Sequence, residues 1–304
     1  MNARFTIHRF HFMNQINFGK FHGFGNDYIV FEAQDLKNVA SLSGFAVKVC
    51  HRNTGIGGDG IAVLEKIDGD QADYLCRIIN PDGSEAGFSG NGTRCAVAYL
   101  HFKNLWSEKK LRLETKSGVK NYEFLRRAAN TFWFRAELGR PGFNLPDSLF
   151  LKSVAAETGQ NEAAGFSALM LPEEKMVINF LFVDVGNPVT CIFLEDFNIF
   201  DWRRVGRRIE SLREMFPDRT NVVFIRKMNA DNIEIRIWER GAGETASSGT
   251  CSIAAAVAHL SRENRRGAVQ VHAVGGATEA VWREDDEMMI TGRADLAFCG
   301  EWFE

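Results

Sequence analysis

Ser89-Gly90-Asn91-Gly92-Thr93 runs into Arg94-Cys95-Ala96-Val97-Ala98, and Ser248-Gly249-Thr250 runs into Cys251-Ser252-Ile253-Ala254-Ala255-Ala256-Val257. Each phrase is a serine, a glycine turn and an alanine-rich segment of helical character. A helix start offers backbone N–H groups without partners and the positive end of the helix dipole, so each turn is a candidate anion hole. Taken singly, Ser89 and Ser248 read as ordinary N-caps, a position serine favours. As a pair they do more. Two such holes facing one another would grip one carboxylate from both sides and set a hydroxyl on each face of the carbon that bears it.

The spacing supports a pair. Gly25-Asn26 precedes the first phrase and Gly186-Asn187 the second, with 63 residues from Asn26 to Ser89 and 61 from Asn187 to Ser248. The same loops in the same order suggest a duplicated unit, two related lobes aiming helix N-termini at a shared cleft. The helices after Gly92 and Thr250 are apolar around most of their circumference and must be wrapped by sheet. Strands are expected at Tyr28–Phe31, Leu111–Glu114, Phe132–Arg135, Cys191–Leu194 and Asn232–Ile237, where apolar residues alternate or run together. The stretch from Leu145 to Glu174 has few strand signals and reads as an inserted loop or helix, and Met1 to Asn17 as a strand addition or a tail.

The residues around these turns resemble the diaminopimelate epimerase family. The resemblance rests on Lys20-Phe21-His22-Gly23-Phe24-Gly25-Asn26-Asp27, Asn53-Thr54-Gly55-Ile56-Gly57-Gly58-Asp59-Gly60, Asn80-Pro81-Asp82-Gly83-Ser84 and Gly90-Asn91-Gly92-Thr93-Arg94-Cys95. It continues through Gly186-Asn187-Pro188, Arg219-Thr220-Asn221-Val222 and Glu239-Arg240-Gly241-Ala242-Gly243-Glu244-Thr245, and covers nearly everything from about residue 18 onward. It implies an α+β fold of two pseudo-symmetric lobes, each a curved, mostly antiparallel sheet wrapped around a central helix. One lobe would be 18–132 with 290–304 returning to it, its last strand at Phe298–Phe303; the other would be 133–289, and 1–17 an N-terminal extension. The implied activity is cofactor-independent inversion of an amino-acid α-carbon on the route to lysine, and dimerisation is common in the family.

The departures carry as much information. In the family a cysteine precedes each glycine turn, one thiolate removing the α-proton while the opposite thiol delivers a proton to the other face; here Ser89 and Ser248 hold both catalytic positions. Val189 stands where histidine usually follows Gly-Asn-Pro, and Ala246-Ser247 and Cys251-Ser252 also differ. A thiol, with a reference pKa of about 8.5 that a helix start lowers, is both a base and a donor near neutral pH. A serine hydroxyl needs a neighbouring base. None is evident from the sequence, since Glu85 and Glu244 could equally cap or orient the loops. The serines are then introduced replacements in a disabled epimerase, or mark a natural branch with another isomerisation or a dehydration, or a protein that binds without turnover. The further departures favour a natural variant, because a minimal replacement would leave the neighbours unchanged.

By resemblance, Asn80, Asn187, Asn221 and Arg240 would bind the far end of an amino-acid substrate, Glu239 would support its far amino group, and Asn26 would lie near the reacting centre. Arginine offers a planar fork to a carboxylate and asparagine both donates and accepts. Backbone N–H groups around Gly90-Asn91 and Gly249-Thr250 would hold the α-carboxylate and spread the charge that builds as the proton leaves. Any one of these asparagines alone reads as a turn residue.

Composition bounds the rest. With 304 residues, 45% hydrophobic and 25% charged, the chain can bury a large core in two lobes, and a net charge of −3 without a basic run argues against a nucleic-acid surface. No apolar stretch approaches the roughly 20 residues that span a bilayer and the start lacks a signal-peptide core, so the expectation is a cytoplasmic enzyme. The six cysteines lack zinc or disulfide spacing and read as reduced core residues, Cys251 excepted, whose place in the first helical turn could lower its pKa. His22 and His51 accompany glycine motifs, but no histidine has metal-ligand spacing with another, so no metal is expected.

Overall fold

The computed structural model describes residues 15–145, 166–171, 173 and 175–304. Its first half runs β1 (Gln15–Gly23), β2 (Asn26–Glu32), α1 (Leu42–Cys50), β3 (Gly60–Lys66), β4 (Tyr74–Ile79), β5 (Glu85–Ala86), α2 (Gly90–Phe102), β6 (Lys110–Thr115), β7 (Gly118–Ala128) and β8 (Thr131–Gly139). After β9 (Phe166–Leu171) come β10 (Met176–Asp184), β11 (Pro188–Phe193), α3 (Trp202–Glu210), β12 (Asn221–Asn229), β13 (Asn232–Glu239) and β14 (Gly243–Thr245). The chain ends with α4 (Gly249–Arg262), β15 (Gly267–Ala273), β16 (Gly276–Trp282) and β17 (Met288–Phe303). All five segments expected as strands are strands. Their alternation is visible in β8 and β13, where every second side chain is buried over most of the strand.

The pairing order repeats. Strand β1 pairs antiparallel with β2, β2 parallel with β3, β3 antiparallel with β4, and β4 with β5 and then in parallel with β6. Strands β10 to β15 do the same in the same order and sense. Antiparallel pairs β6–β7 and β7–β8 are matched by β15–β16 and β16–β17. Strand β17 also pairs with β8 and, along Asp295 to Phe303, with β1, so β1, β2, β3, β4, β6, β7, β8 and β17 close into an eight-stranded barrel.

Helix α2 lies inside that barrel, touching β1 to β4 and β17, and is buried from Gly90 through Leu100. Helix α4 is buried from Thr250 through Leu260 against β10 to β13 and β15 to β17. The interior these helices fill accounts for their alanines, which admit sheet on every side. Helices α1 and α3 instead lie outside, α1 covering β3 and β4, and α3 covering β12 and β13. Asp201 caps α3 by accepting from the N–H groups of Arg203 and Arg204.

Two expectations are corrected. The last strand begins at Met288, ten residues before Phe298, because one continuous strand serves β16, β8 and β1 in turn. Within Leu145 to Glu174, Phe166–Leu171 is a strand paired with β10, while 146–165, 172 and 174 lie outside the described residues. Of the N-terminal extension, 1–14 lie outside them too, and Gln15–Asn17 already belong to β1. Among the described residues no helix is long and apolar enough to cross a membrane.

Candidate active site

The two glycine turns meet. A methyl built on Gly90 would lie 3.5 Å from the Gly249 Cα, and one built on Gly249 3.5 Å from the Gly90 Cα. Both serines are extended N-caps of nearly equal backbone conformation, Ser89 at φ −136°, ψ 118° and Ser248 at φ −145°, ψ 124°. The Ser89 Oγ accepts from Gly92 N at 3.1 Å and the Ser248 Oγ from Cys251 N at 3.4 Å. The capping role read for each serine is therefore real, and each hydroxyl keeps a proton to donate elsewhere.

Where those protons go distinguishes the halves. Ser248 Oγ donates to Glu239 Oε2 at 2.9 Å, and Thr245 donates to the other carboxylate oxygen at 2.7 Å. Burial raises the Glu239 pKa, the two hydroxyl donors opposing it. Ser89 instead shares a 2.9 Å hydrogen bond with the Tyr28 hydroxyl, whose own pKa burial pushes up. A carboxylate base thus stands beside Ser248, correcting the expectation that neither serine has one. Glu85 and Glu244 are occupied elsewhere, by Arg77 and Arg203. Cys251 is fully buried, which drives its thiol pKa well up, against the expectation of a sensitised thiol. Five of the six free cysteines are buried, Cys299 alone being exposed.

A polar chain runs from the first turn to the start of β2. Arg94 Nη1 donates to Asn91 Oδ1 at 2.9 Å, Asn91 Nδ2 to Asn26 Oδ1 at 3.2 Å, and Asn26 Nδ2 to Asp59 Oδ2 at 2.8 Å. Arg52 bridges Asp59 to Asp27, and Lys20 pairs with Asp27 at 2.8 Å. The two cations hold Asp27 near a pKa of 2 against its burial, whereas burial raises Asp59. Every amide in this chain has a defined donor and acceptor side, so Asn26 and Asn91 are fixed before any ligand arrives.

In the second half Arg240 N donates to Asn221 Oδ1 at 2.9 Å and Arg240 Nη2 to Asn187 Oδ1 at 3.2 Å. The structure brings these three together at the ends of β12 and β13. Asn80 sits in the turn between β4 and β5, its amide donating to Ser84 at 3.0 Å. Thr250 Oγ1 lies 3.3 Å from the Ser248 Oγ. Val189 is fully buried in β11. Tyr28, Arg94 and the Asp27–Asp59 cluster were missed as site residues, though Arg94, Asp27 and Asp59 lay inside the recognised phrases. A cavity of about 720 Å³ opens beside α3 and the Gly241–Glu244 turn, lined by Arg203, Arg207 and Trp238 but by neither serine. Among the described residues, no three His, Cys, Asp or Glu side chains are grouped to hold a metal ion.

Known proteins are similar to this chain over most of its length. The family described as diaminopimelate epimerase matches residues 18–141 and 181–297. A diaminopimelate epimerase of Halothermothrix orenii is 32% identical over 94% of this chain and 98% of its own, and one of Methanocaldococcus jannaschii is 35% identical over 90% and 95%. In fold the chain is similar to a hydroxyproline epimerase of Agrobacterium vitis, at a TM-score of 0.67 with 13% identity, over 96% of this chain and 92% of that one.

Proposed function

This chain belongs to the diaminopimelate epimerase family and is an epimerase-like, cofactor-independent isomerase; we propose that it moves the α-proton of an amino acid through two unlike hydroxyl pairs, Glu239–Ser248 and Ser89–Tyr28. The observation that carries this is the 2.9 Å hydrogen bond from the Ser248 Oγ to Glu239. Serine alone is too weak a base, but a hydroxyl that hands its own proton to a carboxylate as it takes another can act. The α C–H bond breaks, its proton goes to the Ser248 Oγ, the Ser248 proton goes to Glu239, and the electron pair moves into the carboxylate as an enediolate. On the opposite face the Ser89 Oγ–H protonates the carbon and is refilled from Tyr28. Exchange with solvent, or turnover in the reverse direction, restores both pairs. Because burial makes Tyr28 a reluctant acid, donation from the Ser89 face is the slow half.

Roles for the remaining residues follow the same reading. The N–H groups at Gly90, Asn91, Gly249 and Thr250 hold the α-carboxylate, and Asn26 braces the first turn. Asn80, Asn187, Asn221 and Arg240 bind the far end of the substrate, for which the relatives' names suggest diaminopimelate and hence lysine biosynthesis in the cytoplasm. We assign the chain to two lobes on the repeated strand pairing, β1 to β8 forming one repeat and β10 to β17 the other, with β8 and β17 paired to each other across them. The molecule pairs as a homodimer in this reading.

Proton NMR of diaminopimelate in deuterated water tests it. The protein as it stands is expected to incorporate deuterium at the α-carbon faster than it inverts that carbon. Glu239→Gln should slow incorporation at least 100-fold, and the Ser89→Cys/Ser248→Cys variant should speed inversion. Incorporation only by the cysteine variant would mean that the serine pair does not transfer protons.

A further inference from the structure

Helix α2 carries a guanidinium that no described residue neutralises. Arg94 is 2% exposed, and it stands among the largest fully buried side chains. One donor, Nη1, is taken by Asn91 Oδ1, while Nε has no partner. Burial holds its pKa down, no carboxylate opposes this, and burial keeps the neighbouring Tyr122 hydroxyl and Cys95 thiol neutral. The nearest acid along its hydrogen bonds is Asp59, two amide groups away and already held by Arg52.

The guanidinium is also placed. It lies against Gly292 of β17, where a methyl would stand 2.5 Å from Cζ and 2.9 Å from Nε. Its other edge turns to the second helix start, Nη2 being 3.9 Å from a methyl built on Gly249. The side chain rises from α2, reaches the first residue of α4 and rests on the strand shared by both halves. A buried cation without a counter-ion is costly, and breaking or omitting its partner destabilises a fold. An anion arriving between the two helix starts would supply that partner.

We infer that Arg94 is the resident counter-charge for the carboxylate of the amino-acid ligand at the paired starts of α2 and α4, making the site selective for a carboxylate over a neutral group of the same shape. The inference rests on the reading that this protein acts on an amino acid. Helix dipoles supply only fractional charge at each terminus. Arg94 adds a whole one in a place that salt does not screen. It also favours the second negative charge that the carboxylate acquires when the α-proton leaves.

The test compares 2-aminopimelate with its 1-carboxamide, by titration calorimetry on the full chain and on Arg94→Met and Arg94→Lys. The unaltered protein is expected to prefer the carboxylate by about ten-fold or more, Arg94→Met to lose most of that preference, keeping only what the two helix starts supply, and Arg94→Lys to retain more of it. Ligand-free Arg94→Met, with volume kept and the lone charge removed, should melt no lower than the unaltered protein. A preference unchanged in Arg94→Met overturns the inference. So does an Arg94→Met chain that melts far lower or fails to fold, because the cation would then stabilise the protein without any ligand. If the unaltered protein neither binds 2-aminopimelate nor exchanges its α-proton, the amino-acid reading falls first and this inference with it.

Discussion

At the scale of single residues, the two serines differ in what stands behind them. Ser248 leans on a carboxylate and Ser89 on a phenol, so similar caps are left with opposite protonic character. Glu239 is the group whose ionisation governs the pair. Its folded pKa is raised, so its contribution to stability is fully present below the unfolded value of about 4.3 and is lost as pH rises through the folded value. Glu239→Gln removes that loss. Urea unfolding of the two proteins at pH 4 and pH 8 should therefore show the glutamine variant gaining on the parent as pH increases; a stability difference that stays constant, or that moves in the parent's favour as pH rises, would mean that Glu239 is not raised. If Glu239 takes the serine proton as proposed, the same shift should place the acid limb of kcat/KM above the ordinary carboxylate range, since only the ionised carboxylate can accept it.

At the scale of elements, the site is made by two helix starts brought into contact, and the glycines decide how close they come. On either Gly90 or Gly249 a methyl makes an ordinary 3.5 Å contact with the other glycine. Gly90→Ala and Gly249→Ala, each made singly, should then keep the melting temperature within a few degrees, alanine being the better helix residue by about 0.5–1 kcal/mol. The added methyls nonetheless occupy the gap between the anion holes, and calorimetry should show amino-acid binding weakened ten-fold or more; undiminished binding would put the carboxylate elsewhere. Gly292→Ala is the contrast, because its methyl meets the Arg94 guanidinium at 2.5 Å and should cost about 1–3 kcal/mol in stability. The sequence showed both helix starts, because a serine before a glycine and an alanine run is a local signal. It did not show that Ser248 reaches Glu239. That contact crosses the β13–β14 hairpin, and its register is set by Ile237 opposite Thr245, a pairing that periodicity does not record. Tyr28 was legible only as a strand residue for the same reason, its partner lying 61 positions away.

At the scale of the whole molecule, duplication was legible from the near-equal spacing of the asparagine and serine turns, whereas closure was not. Closing the barrel depends on β17 meeting β1, with Phe303 opposite Gln15, and on β8 meeting β17, with Thr131 opposite Asp295. Alternating residues in a strand announce a buried face but not which distant strand supplies the edge. These two strands also bind the halves to one another. Strand β8 pairs with β7 and β17, and β17 pairs with β16, β8 and β1, so neither half can release them without opening an unpaired sheet edge. Two halves that merely touched would unfold separately; halves joined through paired strands should unfold as one. We expect a single urea transition in which far-ultraviolet circular dichroism and tryptophan fluorescence coincide. A chain ending at Asp295 should lose that transition and amino-acid binding together, although it keeps Ser89, Ser248, Glu239 and Arg240. Two separated transitions in the full chain, or a truncated chain that still binds, would show instead that each half closes its own core and that β17 is an accessory to both.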